Sequence, residues 1–165
     1  MIRKNKRMAL IGDANFPNYA SSEAKLGKMR MIAATLLKHS PSVIYLCPTK
    51  GVNLGLIPFF VINELKFRIV IPSKNFFSCL TKEDKKLFEV AAATADKIIV
   101  LDENECEPLR WFSDWEKANK KAIENSDWVM LVHNNEESSE GFAELIQTFK
   151  GNNKPVVAID LSSEE

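Results

Sequence analysis

Six short apolar runs punctuate the chain, and each is followed by a stop of glycine, proline, acidic or amide residues. They are Met8–Gly12, Val43–Cys47, Phe67–Ile71, Lys97–Leu101, Trp128–Val132 and Pro155–Ile159. None alternates strictly between apolar and polar, which is the habit of strands covered on both faces, as in parallel sheets. The segments between them carry helical periodicity. Glu23–Lys38 sets Leu26, Met29, Ile32, Leu36 and Leu37 near one face. Leu54–Lys66 is apolar nearly all round, and Pro58 there is tolerable only close to the start of a helix. Thr81–Ala95 opens with a T-x-x-D relative of the capping box. Arg110–Asn125 carries Trp111 and Trp115, and Ser138–Lys150 is followed by Gly151 as a helix stop.

Strands alternating with helices over short connections predict right-handed crossovers. The expected fold is α/β and Rossmann-like: a three-layer, doubly wound, mostly parallel sheet of about six strands, forming one domain over residues 1–165. The longest irregular segment, Asp102–Leu109, is either a site loop or a spacer.

Composition narrows the function classes. Lys+Arg and Asp+Glu are equal at 22 each, so no net field draws in nucleic acid or an anionic membrane, and DNA binding is not indicated by charge. The apolar run Met8–Ile11 is too short for a signal h-region, and no stretch approaches the ~20 residues of a membrane helix. Cys47, Cys79 and Cys106 form no CxxC pair. These features suit a cytoplasmic protein in a reducing compartment, with no membrane partner and no metal site.

In this architecture ligands bind beyond the carboxyl ends of the strands, where strand order reverses. The residues after each run therefore form one candidate surface. Gly12 ends the first run, and Asp13 and Asn15 follow it. Thr49, Lys50, Gly51, Asn53 and Gly55 follow the second, in PTKGVNLG. Ser139 and Gly141 open the last predicted helix. Helix starts offer unpaired amides to phosphate or carboxylate, and glycine permits close approach. Neither a Walker A loop nor GxGxxG is present. The plain alternatives are a strand-to-helix turn for the second loop and close packing for Gly141. Weak candidates for acid–base chemistry are Asp102, Glu103, Glu140, Glu144 and His133, none within a nucleophile motif. His39, at a helix end, reads as a dipole partner, and Trp111, Trp115 and Trp128 read as core.

The segments MALIGDANF, IYLCPTKGVNLGLIPFFVINELKFRIVIPS, WEKANKKAIENSDWVMLVHN and SSEGFAELIQTFKGNNKPVVAIDL together resemble the SLOG superfamily. That superfamily comprises the Rossmann-like relatives of DprA/Smf, the LOG phosphoribohydrolases and the YpsA-type proteins. The resemblance covers roughly Met8 to Leu161. Gly12 and Asp13 match its first loop, Gly51 and Gly55 its second, Gly141 and Glu144 its last. PTKGVNLG lacks one glycine of the family's usual pair, and Phe142 stands where the LOG enzymes carry threonine.

The resemblance implies binding of a nucleotide, nucleotide-sugar or other nucleotide-derived ligand; beyond that possible nucleotide ligand, the sequence assigns no cofactor. Two alternatives stay open: hydrolysis of an N-glycosidic bond in the LOG manner, and a DprA-like DNA module. The apolar helix around Pro58–Leu65 adds a fourth expectation, a homo-oligomer interface, with burial under the sheet as its plain alternative.

Overall fold

The computed structural model describes residues 5–13, 21–102, 111–134 and 154–162. Its elements run β1 (Arg7–Gly12), α1 (Ser22–His39), β2 (Val43–Leu46), α2 (Val52–Ile62), β3 (Phe67–Ile71), a 3-10 turn (Phe76–Cys79), α3 (Lys82–Thr94), β4 (Lys97–Val100), α4 (Trp111–Glu124), β5 (Trp128–His133) and β6 (Val156–Asp160). Every expected strand is present to within a residue or two. The expected final helix, Ser138–Lys150, lies outside the described residues.

The sheet has six strands in the order β4-β3-β2-β1-β5-β6, and every pair is parallel. The chain moves outward from β1 to β4, then returns to the opposite side of β1. Right-handed crossovers accordingly place α1, α2 and α3 on one face and α4 on the other. α2 touches both α1 and α3, whereas α4 lies against β1, β2 and β3. This is the doubly wound, three-layer α/β arrangement. Strands β1, β2 and β5 are buried on both faces, and the edge strands β4 and β6 are half exposed. The largest fully buried side chains include Trp128, Phe60, Met8, Leu10, Ile32 and Leu36.

Helix starts and stops follow local chemistry. Ser21 caps α1 by accepting from the Ala24 amide at 3.2 Å. Thr81 caps α3 by accepting from the Asp84 amide at 3.2 Å. His39 ends α1, buried, its ring centroid 4.9 Å from that of Trp128. The Lys154 ammonium donates to the carbonyls of Ile123, Glu124 and Ser126, a cation at the negative end of α4.

α2 departs from expectation at both ends. It starts at Val52, two residues early, because Gly51 turns the chain with φ 92° and ψ −131°, a conformation side-chain-bearing residues avoid. It stops at Ile62, because the Asn63 side chain donates to the Phe59 carbonyl at 2.8 Å and Glu64 adopts φ 53°. Pro58 therefore lies in the interior of the helix, on its exposed side, and the Leu54 carbonyl loses its amide donor.

Candidate functional site

Strand order reverses at β1, which is flanked by β2 and β5. Because all strands are parallel, the segments leaving β1, β2 and β5 emerge on one rim. Asp13, the first residue beyond β1, ties the three together. Its amide donates to the Val132 carbonyl at 2.9 Å, and its carbonyl accepts from the Val52 amide at 3.2 Å. Its carboxylate accepts from the Asn134 amide at 3.3 Å. Asp13 and Asn134 are both fully buried. One residue thus fixes the exit of β1, the start of α2 and the exit of β5.

The glycine before it serves that junction. A Cβ on Gly12 would lie 2.5 Å from Asn53 Oδ1 and 2.6 Å from Val52 Cβ, so no side chain fits between β1 and the first turn of α2. Asn53 in turn props up the loop, its Nδ2 donating to the Cys47 carbonyl at 2.8 Å. The Thr49 amide donates to the same carbonyl at 2.8 Å, and the Thr49 carbonyl accepts from the Leu54 amide at 3.1 Å. Burial pushes the Cys47 thiol pKa far up, so this cysteine is a packed apolar residue.

These bonds define what the start of α2 can offer. The Val52, Leu54 and Gly55 amides donate to the carbonyls of Asp13, Thr49 and Gly51. The Asn53 amide makes no hydrogen bond among the described residues. Thr49 Oγ1 and Asn53 Oδ1 are buried and likewise have no partner among them. Lys50 is exposed beside them.

Gly12, Asp13, Thr49, Lys50, Gly51 and Asn53 are therefore brought together at the junction of β1 and α2. Gly55 faces elsewhere: a Cβ there would lie 2.7 Å from Met29 Cε, so its small size lets α1 approach α2. Asn15, Glu103, Ser139, Glu140, Gly141 and Glu144 lie outside the described residues. His133 ends β5, half-buried, with its Nδ1 lacking a partner among the described residues. Asp102 follows β4, four strand positions away, or ~19 Å at the usual strand spacing. These two candidates do not meet.

Two further groups belong to this rim: Asn134, which the sequence reading places on the candidate surface after the fifth run, and Asp160, which it takes only as the stop of the last run. The Asn134 amide is the donor to Asp13. Asp160 stands in register with His133 and accepts from the Ser162 amide at 2.9 Å and its hydroxyl at 2.6 Å. Asp160 ends its strand and Asn134 directly follows β5, and that position is the signal by which both are found. Among the described residues no cluster of three His, Cys, Asp or Glu side chains is arranged to hold a metal ion.

A groove of about 690 Å³ lies at the starts of α1, α2 and α3, the end of the helix layer nearest the rim. Gly51, Gly55 and Phe59 form its floor, and Leu26, Met29 and Leu87 its walls. It meets the candidate loop at Lys50 and Gly51.

No protein-family model matches the chain, and no curated protein matches it. Among solved structures, the X-ray structure of DNA processing protein A (DprA) from Streptococcus pneumoniae aligns over 93% of this chain. The identity is 15% and the TM-score 0.48. The chain spans 58% of the length of that protein. Among the described residues no helix is long and apolar enough to cross a membrane.

Proposed function

We propose that the rim between β1, β2 and β5 binds a nucleotide or nucleotide-derived phosphorylated ligand. The observation that carries this reading is the junction at Asp13, where the start of α2 and the exit of β5 are held side by side at the reversal of strand order. A crevice at that point is where open α/β sheets take ligands. An exposed lysine at a helix start supplies charge for a phosphate, and the Asn53 amide supplies a donor. The Gly51 turn leaves the backbone bare at the same place. Binding without an assigned reaction fits the separation of Asp102 from His133.

The reading is tested by amide-resolved NMR during titration with AMP, ADP-ribose and the other nucleoside monophosphates. The Asn53 and Asn134 amides are expected to shift together with one of these ligands. Shifts absent throughout, or confined to residues of β4 and α3, contradict it.

A further inference from the structure

We infer that the groove at the helix starts takes the far half of the ligand, an apolar chain ending in an ammonium and esterified to the phosphate of the nucleotide. The inference rests on the reading above, that a phosphate lies beside Lys50 at the start of α2.

Three helices begin around the groove, and their starts are not alike. Ser21 caps α1 and Thr81 caps α3, each hydroxyl accepting from an amide of the first turn. Glu23 stands in the first turn of α1, and Glu83 and Asp84 in that of α3. Carboxylates in those places already answer the positive ends of the two helices. α2 has neither device. Gly51 precedes it without a side-chain cap, and its first turn holds no acidic residue. Of the three starts, that of α2 is the one left for an anion.

The groove opens from that same point, since Lys50 and Gly51 belong to its lining as well as to the candidate loop. A ligand lying on the rim crosses into it at the phosphate. The groove therefore receives a substituent on the phosphate, not the base or the sugar. Beyond Lys50 the lining sets Glu23, Glu83 and Asp84 against Lys25, a surplus of two negative charges. A second phosphate is repelled there and a cation is drawn in. The rest of the lining is apolar. Leu26 is 43% exposed, Phe59 and Leu87 are half-buried, and Met29 fills the place beside Gly55. The volume, about 690 Å³, lies in the range of small-molecule pockets. The ligand class is thus a nucleoside 5′-phosphodiester whose second alcohol carries an apolar chain and an amine.

The test is amide-resolved NMR titration of the full chain with the methyl, 6-hydroxyhexyl and 6-aminohexyl esters of the four nucleoside 5′-monophosphates. All three esters carry the same charge at phosphate. With at least one nucleoside, the aminohexyl ester is expected to bind about tenfold tighter than the methyl ester and about fivefold tighter than the hydroxyhexyl ester. The Leu26, Gly55 and Leu87 amides are expected to shift together with that of Asn53. Glu83→Lys, at an exposed position, is expected to erase the preference for the amine and to leave the methyl ester bound within about twofold. The groove alone is read with 6-aminohexyl phosphate, which lacks a nucleoside. Groove amides unmoved by every amine-bearing probe, equal affinities for the three esters, or an amine preference kept in Glu83→Lys overturns the inference. Groove amides that shift with 6-aminohexyl phosphate, while Asn53 and Asn134 stay still with every nucleotide, support the amine site and refute the nucleotide on the rim.

Discussion

The carboxylate of Asp13 accepts from the Asn134 amide across the seam where strand order reverses, at 3.3 Å and out of contact with water. Removing a buried acceptor leaves its donor without a partner, which costs about 1–3 kcal/mol. Asp13→Ala is expected to lower the urea midpoint by that amount with an unchanged m-value. Asp13→Asn, which keeps a carbonyl oxygen, is expected to lose less. Equal losses in the two variants would show that the Asn134 bond does not hold the seam.

Gly12 and Gly27 make a paired prediction of opposite sign. At Gly12 a methyl group would meet Val52 and Asn53 at under 3 Å, with the start of α2 held in place by Asp13. Gly12→Ala is expected to destabilise by about 1–3 kcal/mol. At Gly27, exposed in α1, nothing lies within 4 Å of the added carbon. Gly27→Ala is expected to stabilise by about 0.5–1 kcal/mol through helix propensity. Thermal unfolding of the two variants side by side decides both signs.

The strands were legible from the sequence because parallel strands buried on both faces read as uninterrupted apolar runs, and Phe67–Ile71 falls where its proline stop indicates. The ends of α2 were not. Its start depends on a backbone conformation at Gly51, and its stop on a local bond from the Asn63 side chain, and neither changes the apolar pattern of VNLGLIPFFVI. The candidate loops were legible as lying on one rim, since topology alone dictates that. What each residue does there depends on contacts between distant segments. Gly12 reads equally well as a ligand cradle until α2 is seen against it, and Gly55 until Met29 is.

Asp127 gives the stability a specific acid dependence. Arg7 donates to its carboxylate through the side chain at 3.0 and 3.2 Å and through the backbone amide at 3.0 Å. These bonds, the side-chain ones foremost, hold the carboxyl down to about 2, against an ordinary 3.8. A carboxyl depressed in the folded state binds protons more readily in the unfolded chain. Its stabilising contribution is therefore complete above 3.8 and is lost as pH falls toward 2. Both side chains are well exposed, so the effect is small and weakens with salt. Asp127→Asn is expected to flatten the fall of the melting temperature across that window and to leave the profile near neutral pH parallel to wild type. An unaltered profile would mean that the pair contributes nothing.

Cys47 is expected to resist thiol reagents in the folded protein, since burial both hides the thiol and disfavours its thiolate. In a chain whose Cys79 and Cys106 are replaced by serine, reaction with a disulfide reagent should proceed only at the rate of unfolding and become complete in denaturant. Immediate reaction under native conditions would refute the closed geometry at the end of β2.

The central claim, a phosphorylated nucleotide-type ligand on the rim beside α2, is tested most directly by thermal shift with AMP, ADP-ribose and the nucleoside monophosphates on wild type, Lys50→Ser and Asn53→Ala. At a hundredfold excess over its dissociation constant a ligand stabilises the fold by about 2.7 kcal/mol, a rise of about 5–11 °C for a chain of this size. At least one ligand is expected to raise the wild-type melting temperature by that much, and the rise is expected to shrink in both variants. No rise with any ligand at millimolar concentration, or a full rise in both variants, would contradict the account.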